Sequence, residues 1–145
     1  MNFSNYLEEQ ILTDYFVTPT VYVAIFGYLD GGSLDIETLE GELEYSDYTH
    51  EILTYDGGRK QIDYTTVEQD EISDTGEYID SKGQTKNDNA ISFDNMPACT
   101  VMAAAIMTAS ASGNLLMWVT LPTEKQVSAG DSFPINAEQF ILETD

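Results

Sequence analysis

The chain has 145 residues, of which 42% are hydrophobic, so we predict one compact domain over residues 1–145 with its own core. Its 26 acidic residues against 5 Lys and Arg give a formal net charge of -21, which disfavours nucleic acid and membrane insertion because anionic partners repel it. Nine Tyr, six Phe and one Trp are too many aromatic residues for a disordered acidic tail, so the charge is expected on a folded surface.

The N-terminal segment, about residues 4–16, is predicted to form a short helix. Two adjoining apolar stripes follow helical spacing: Phe3, Leu7, Ile11 and Tyr15, and beside them Leu12 and Phe16. Asn5 followed by Glu8 resembles a capping box. Thr18-Pro19 should end the helix, because proline disfavours helical geometry in the residue before it.

Strands are predicted from about residue 20 to residue 143. Thr20–Phe26 is rich in β-branched and aromatic residues without polar alternation, which is typical of a central strand covered on both faces. Asp30-Gly31-Gly32 and Asp56-Gly57-Gly58 indicate turns. The other predicted strands are Leu43–Tyr48, His50–Tyr55, Gln61–Glu68, Glu77–Ile79, Ala90–Phe93, Cys99–Met107, Asn114–Leu121 and Gln139–Glu143.

Residues 95–123 contain no Asp, Glu, Lys or Arg and are predicted to form the centre of the core. Within this stretch Cys99–Met107 favours a buried strand, although its alanines and methionines also allow a helix. Gly113-Asn114 then suits a hairpin connection. Pro97 and the polar residues 108–114 interrupt the stretch too often for a membrane span. Cys99, the one cysteine, is expected to be a buried inert thiol.

A short helix leading into eight or nine strands defines the predicted fold class. The fold is expected to be mainly all-β, either a β-sandwich or a Greek-key, jelly-roll-like barrel.

No residue pattern stands out as a catalytic site. Carboxylates are so abundant that an acid pair carries no information, and His50 lacks a positioned nucleophile or oxyanion hole in any motif. We therefore predict a non-enzyme and assign no catalytic, cofactor-binding or metal residues. Asp70-Glu71, Asp74 and Glu77 offer oxygen ligands for Ca²⁺, but the EF-hand pattern is absent. A diffuse cloud of K⁺, Na⁺ or Mg²⁺ is the simpler expectation, without a cofactor.

Five tyrosines lie among acidic residues in the middle of the chain: Tyr45, Tyr48, Tyr55, Tyr64 and Tyr78. Tyrosine gives a large contact area at low entropy cost, so the group is one candidate for a receptor- or carbohydrate-binding surface. The alternative is that these residues are half-buried cross-strand partners on a sheet.

The two ends of the chain contain a series of distinctive motifs. At the start these are Ser4–Glu8 and Pro19–Phe26. Towards the end they are Ala90–Phe93, Gly113–Trp118 with the segment to Asp131, and Phe140–Asp145. In this order the motifs resemble a family of small phage tail-fibre proteins. The middle, from about Tyr28 to Asn89, is more acidic than the family pattern.

The resemblance implies a β-sandwich component of the virion of a tailed virus, assembled in the host cytoplasm as a symmetric multimer. Its expected partners are copies of itself, other virion proteins and a host surface receptor, at a tail-fibre, baseplate, turret or other capsid-decorating position. The acidity adds the expectation that the host is a halophilic archaeon, because high salt screens the repulsion between dense carboxylates. The alternative function is a receptor- or carbohydrate-binding module.

Overall fold

The structure is a computed structural model that describes residues 4–69 and 83–144. The described residues form two α-helices, one π-helical turn and ten strands. The helical elements are α1 (Asn5–Leu12), the π-helical turn (Thr13–Val17) and α2 (Ile36–Glu44). The strands are β1 (Val21–Leu29), β2 (Glu51–Ile52), β3 (Lys60–Ile62), β4 (Tyr64–Gln69), β5 (Gly83–Asn87), β6 (Ile91–Phe93), β7 (Cys99–Met107), β8 (Leu115–Val127), β9 (Phe133–Ile135) and β10 (Ile141–Thr144).

The N-terminal helix begins one residue earlier than the proposed capping box requires. The Ser4 hydroxyl accepts a hydrogen bond from the Leu7 amide, with 3.3 Å between Oγ and N, so Ser4 is the N-cap. The Glu8 carboxylate instead accepts from the Gly83 amide at 3.1 Å. The capping box at Asn5 was therefore a wrong prediction, whereas the helical stretch does end at Thr18.

The buried stripe of this helix is the second of the two that the sequence contains. Leu12 and Phe16 are buried, together with the carboxylate residue Glu8, while Leu7 and Tyr15 are exposed. Phe16 packs edge-on against the buried ring of Tyr64, with 6.5 Å between ring centroids.

A five-stranded sheet, antiparallel along β2-β1-β7-β8, contains most of the uncharged part of the sequence. Its order is β2-β1-β7-β8, and β3 also pairs with β1, so β1 is central as predicted. Every residue of β7 is buried, which confirms the strand over the helix for Cys99–Met107. The β7–β8 pairing confirms the hairpin around Gly113-Asn114.

Helix α2 was not predicted, and it corrects the strand expected at Leu43–Tyr48. The Asp35 side chain caps the helix at its start by accepting from the Thr38 amide. Leu39 and Leu43, spaced by four, are both buried. They pack in one core cluster with residues of β1 and β7: Ala24, Phe26, Met102, Ala103, Ala105 and Met107.

Other predicted strands are present with different limits. His50–Tyr55 shortens to the two residues of β2, and Gln61–Glu68 divides into β3 and β4. Asn114–Leu121 extends through Pro122 to Val127, which is possible because β8 lies at a sheet edge, where the missing proline N–H costs no ladder bond. β5 and β9 were not predicted, and Glu77–Ile79 lies outside the described residues.

The chain divides into two compact units. The first contains residues 1–20, 62–90 and 135–145, with α1 and the sheet β10-β5-β4. The second contains residues 21–61 and 91–134, with α2 and the five-stranded sheet. The predicted class, mainly β with a short N-terminal helix and consistent with a β-sandwich, is confirmed. The single domain over 1–145 stays a prediction.

Candidate functional site

The second unit has an open groove of about 760 Å³ beside the end of β1 and the short strand β2. Two stretches of chain, Gly27–Ser33 and Thr49–Leu53, form its walls together with Tyr55 and Pro97. We call it the β1–β2 groove.

One wall is shaped by the tight turn after β1. The Gly32 amide donates to the Leu29 carbonyl at 2.9 Å, and Gly31 takes a φ of 84°, a left-handed conformation that favours glycine. The Asp30 amide donates to the Ala98 carbonyl at 2.9 Å and so attaches the turn to the segment before β7. The turn predicted at Asp30-Gly31-Gly32 is therefore confirmed, and it forms part of a groove that the sequence did not predict.

Three large apolar side chains are exposed in the groove. The exposed fractions are 57% for Leu29, 61% for Leu53 and 70% for Tyr55. Apolar side chains gathered in one concave surface indicate a binding site more strongly than the same residues scattered singly. Asp30, also exposed, adds a carboxylate to the same wall. This combination suits a neutral ligand with both an apolar face and hydrogen-bond donors.

Glu51, in the second stretch of the groove, is held by Arg59, the only arginine of the sequence. Its guanidinium binds the Glu51 carboxylate and also donates to two carbonyls of the β7–β8 hairpin, at 2.8 Å to Ala109 and 2.6 Å to Ser112. It lies 5.5 Å from the centre of the Tyr48 ring. Glu51 is thus a structural residue. Arg59 was not predicted as a site residue, although the scarcity of cations beside so many carboxylates was a usable signal.

His50 lies in a turn before β2 and not on a strand as predicted. Its Nδ1 is 2.7 Å from Oε2 of Glu42 on α2, and its side chain is about one third exposed. Asp47 shapes the same turn by accepting from the hydroxyl and the amide of Thr49. Those two hydrogen bonds lower the pKa of the Asp47 carboxyl. Within the described ranges no nucleophilic side chain contacts His50. Its contact with Glu42 therefore positions the two side chains and does not form part of a catalytic arrangement.

The tyrosines of the middle segment do not form one surface. Tyr45 and Tyr55 are exposed, but only Tyr55 lines the groove, and Tyr48 packs partly against the core. Tyr64 is buried in the first unit, where its hydroxyl donates to the Phe140 carbonyl at 3.1 Å and burial raises its pKa. Tyr78 lies outside the described residues.

No cluster of metal-binding side chains occurs in residues 4–69 and 83–144. The candidate cation ligands Asp70-Glu71, Asp74 and Glu77 lie outside those ranges. Cys99 is buried as predicted, and desolvation raises the pKa of its thiol, so the unreactive protonated form is favoured. Among the described helices, none has the length and apolar character needed to cross a membrane.

The sequence matches one protein-family model, described as "Podophage GP4 fiber I protein gp80", over residues 44–143. The match covers about two thirds of the chain and includes the β1–β2 groove residues Thr49–Leu53, Tyr55 and Pro97. It also spans Gly113–Trp118, one of the segments on which the tail-fibre resemblance rests, whereas Ser4–Glu8 and Pro19–Phe26 lie outside it. No curated protein matches the sequence.

Proposed function

The chain belongs to the Gp80 family of podophage GP4 fiber I proteins, and on that premise we propose that it assembles into the fibre of a tailed virus as a symmetric multimer. The family match over residues 44–143 is the observation that carries the proposal. A protein of this kind acts by assembly and surface binding, so we assign it no enzymatic activity. Its fibre position is favoured over a turret or other capsid-decorating position because the family description names a fibre.

Adaptation to high salt is part of the proposal. With a net charge of -21, the subunits of a multimer repel one another unless counterions screen them. The screening length falls from about 10 Å at 0.1 M salt to about 3 Å at 1 M. A halophilic host would supply that ionic strength, and assembly of the fibre would depend on it.

The fibre role is tested with purified virions. We expect stoichiometric peptides of this chain in the virion by quantitative mass spectrometry, and labelling by a specific antibody at the tail in electron micrographs. Absence of the chain from purified virions would overturn the proposal. Labelling distributed over the capsid would replace the fibre position with a decorating one.

Binding of a host-surface carbohydrate is the second candidate function, and the β1–β2 groove favours it. A sugar ring can stack on the exposed ring of Tyr55 while its hydroxyls donate to the Asp30 carboxylate. The ligand is expected to be an uncharged glycan, because the surface charge disfavours anionic polymers.

A matched pair of tyrosine variants tests the groove. Tyr55→Ala removes the ring inside the groove, whereas Tyr45→Ala removes an even more exposed ring outside it. We expect Tyr55→Ala to weaken binding to host envelope glycans at least about tenfold, a typical loss for a central aromatic contact, and Tyr45→Ala to leave it unchanged. Equal effects of the two variants, or no binding by the wild type at high salt, would remove this function.

A further inference from the structure

Strand β8 is a long edge of the five-stranded sheet, and no other described strand pairs with its outer side. It contains Leu115–Val127, and in the part of the chain that the structure describes it pairs with β7 alone. An unpaired edge presents a row of backbone N–H and C=O groups that can accept another strand.

The first half of β8 has no charged side chain to protect its edge, and between the two register shifts of the β7–β8 pairing its residues Met117–Thr120 pair regularly with β7. Leu115–Thr123 contains no charged residue, although the whole chain carries 26 acidic ones. Its side chains are half-buried or exposed, and Val119 is 49% exposed. Charged side chains on an edge strand normally prevent pairing between copies. Here the charge begins only at Glu124, after Pro122 has removed a backbone donor.

The edge is also held in a fixed position. Arg59 donates to two carbonyls of the hairpin that precedes β8, and the Tyr48 hydroxyl donates to the Gly113 carbonyl at 2.9 Å. The Asn114 amide donates to Thr108 Oγ1 at 2.8 Å, which closes the hairpin. A strand held in this way loses little further entropy when a partner pairs with it.

The lengths of the strands in this sheet indicate which strand can pair with the β8 edge. The opposite end of the same sheet is β2, with two residues, and the off-path strand β3 has three. A head-to-tail contact between copies would therefore pair β8 with a very short strand. Among the strands that the structure describes, only another β8 offers an edge of matching length, and like edges pair about a two-fold axis as an isologous contact.

We propose that β8 pairs antiparallel with β8 of a second copy of this chain, so that two five-stranded sheets become one continuous sheet. The inference rests on the proposed function, because it names the surface through which the fibre subunit multimerises. The absence of charge from Leu115–Thr123 allows two copies of net charge -21 to approach along this strip without facing carboxylates.

The experiment follows self-association of the full chain at high salt by sedimentation velocity and by fluorescence of Trp118, the one tryptophan, which lies on β8. We expect a dimer at high concentration. On dilution we expect a change in Trp118 emission, together with faster hydrogen exchange of the amides of residues 115–121.

Val119→Lys is the disrupting variant and Ile36→Lys, on α2 and outside the groove, is its control. Both replace an exposed aliphatic residue of the second unit with Lys and so change the net charge equally, but only Val119 lies on β8. Two lysines close together across the two-fold axis repel, so we expect Val119→Lys to raise the dimer dissociation constant by about tenfold or more. Ile36→Lys should leave it unchanged. Unchanged circular dichroism checks that both variants fold.

A chain that is monomeric at all concentrations, or a dimer whose 115–121 amides exchange as fast as in the monomer, would overturn the β8 contact. Either result leaves the fibre role intact if the chain is found in virions. Absence from virions would remove the fibre role while a β8 dimer in solution remained measurable, so the two failures are distinguishable.

Discussion

Arg59 and Glu51 form a two-pronged ion pair, with 2.8 Å between Nε and Oε1 and 3.0 Å between Nη2 and Oε2. The side chains are only 4% and 11% exposed. Parallel N–H donors matched to both carboxylate oxygens make this geometry specific for arginine. The pair joins the strand that borders the groove to the hairpin that begins β8, and both proposed binding surfaces therefore depend on it.

We predict that Arg59→Ala destabilises the protein by about 3 kcal/mol or more, because it leaves the largely buried Glu51 carboxylate without its counterion. Lys60→Ala is the neighbouring control. Lys60 and Asp56 form a more exposed pair at 3.5 Å, so its loss should cost about 0–1 kcal/mol. Urea unfolding monitored by circular dichroism measures both free energies of unfolding.

The double variant Arg59→Met with Glu51→Leu distinguishes the contribution of the ion pair from the cost of leaving the Glu51 carboxylate largely buried without a counterion. Because it removes both charges together, we expect it to unfold less readily than Arg59→Met alone. A double variant less stable than the single one would contradict the cost assigned here to an unpaired Glu51 carboxylate.

Two glycines of the second unit should respond to alanine in opposite directions. At Gly27, beside the register shift in β1, an added Cβ would lie 1.9 Å from the Thr100 carbonyl oxygen. The backbone of β7 must then move, so Gly27→Ala should destabilise by about 2 kcal/mol or more. Gly41 lies inside α2 with no neighbour within 4 Å of its Cβ position, so Gly41→Ala should stabilise by about 0.5–1 kcal/mol. Thermal unfolding gives the sign of the change in melting temperature for each variant. Changes of the same sign in both would contradict the prediction.

A single domain over residues 1–145 makes a calorimetric prediction. We expect one cooperative transition for the wild type, and we expect Gly27→Ala to lower the whole transition although the substitution lies in one unit. Two transitions, of which only one moves, would instead mean that the compact units unfold separately.

Acid should weaken the N-cap of α2. The Thr38 amide and hydroxyl donate to the Asp35 carboxylate at 2.9 and 2.8 Å and lower its pKa. A carboxyl whose pKa is lower in the folded state stabilises above its unfolded pKa of about 3.9, and this stabilisation is lost as pH falls through the folded pKa. The advantage of the wild type over Asp35→Asn should therefore shrink below about pH 4.

The difference between the two proteins is the quantity to measure, by urea midpoints at a series of pH values. Protonation of the many other carboxylates relieves repulsion in both proteins and cancels in the comparison. A difference that stays constant from neutral to acid pH would contradict the role of the ionised Asp35.

Salt should stabilise the fold. The melting temperature is expected to rise between 0.1 and 1 M NaCl, as the screening length falls from about 10 Å to about 3 Å. Glu44→Lys should raise the melting temperature at low salt, since it replaces the last anion of α2, four residues after Glu40, with a cation at the helix C-terminus. That gain should disappear at 1 M. A melting temperature independent of salt would argue against adaptation to high ionic strength.

The sequence by itself determined the β-rich core, because a strand that is buried on both faces consists of consecutive uncharged residues, and such a run can be recognised in the sequence. The uncharged residues 95–123 predicted β7 and the hairpin, and Thr20–Phe26 predicted the central strand β1. Helix α2 was not predicted because Gly41 and the surrounding carboxylates obscured the helical spacing of Ile36, Leu39 and Leu43. The N-cap residue Asp35 could have indicated the start of the helix.

Only the tertiary structure decided which side chains meet. Arg59 contacts a carbonyl 50 residues away, Glu8 contacts an amide 75 residues away, and the groove joins two turns that no local pattern relates. The outer edge of β8 is likewise a property of strand order, since a sequence shows that a segment is extended but not whether a partner lies beside it. Local periodicity sets which residues are buried, whereas long-range pairing decides which backbone groups and charges remain available for binding.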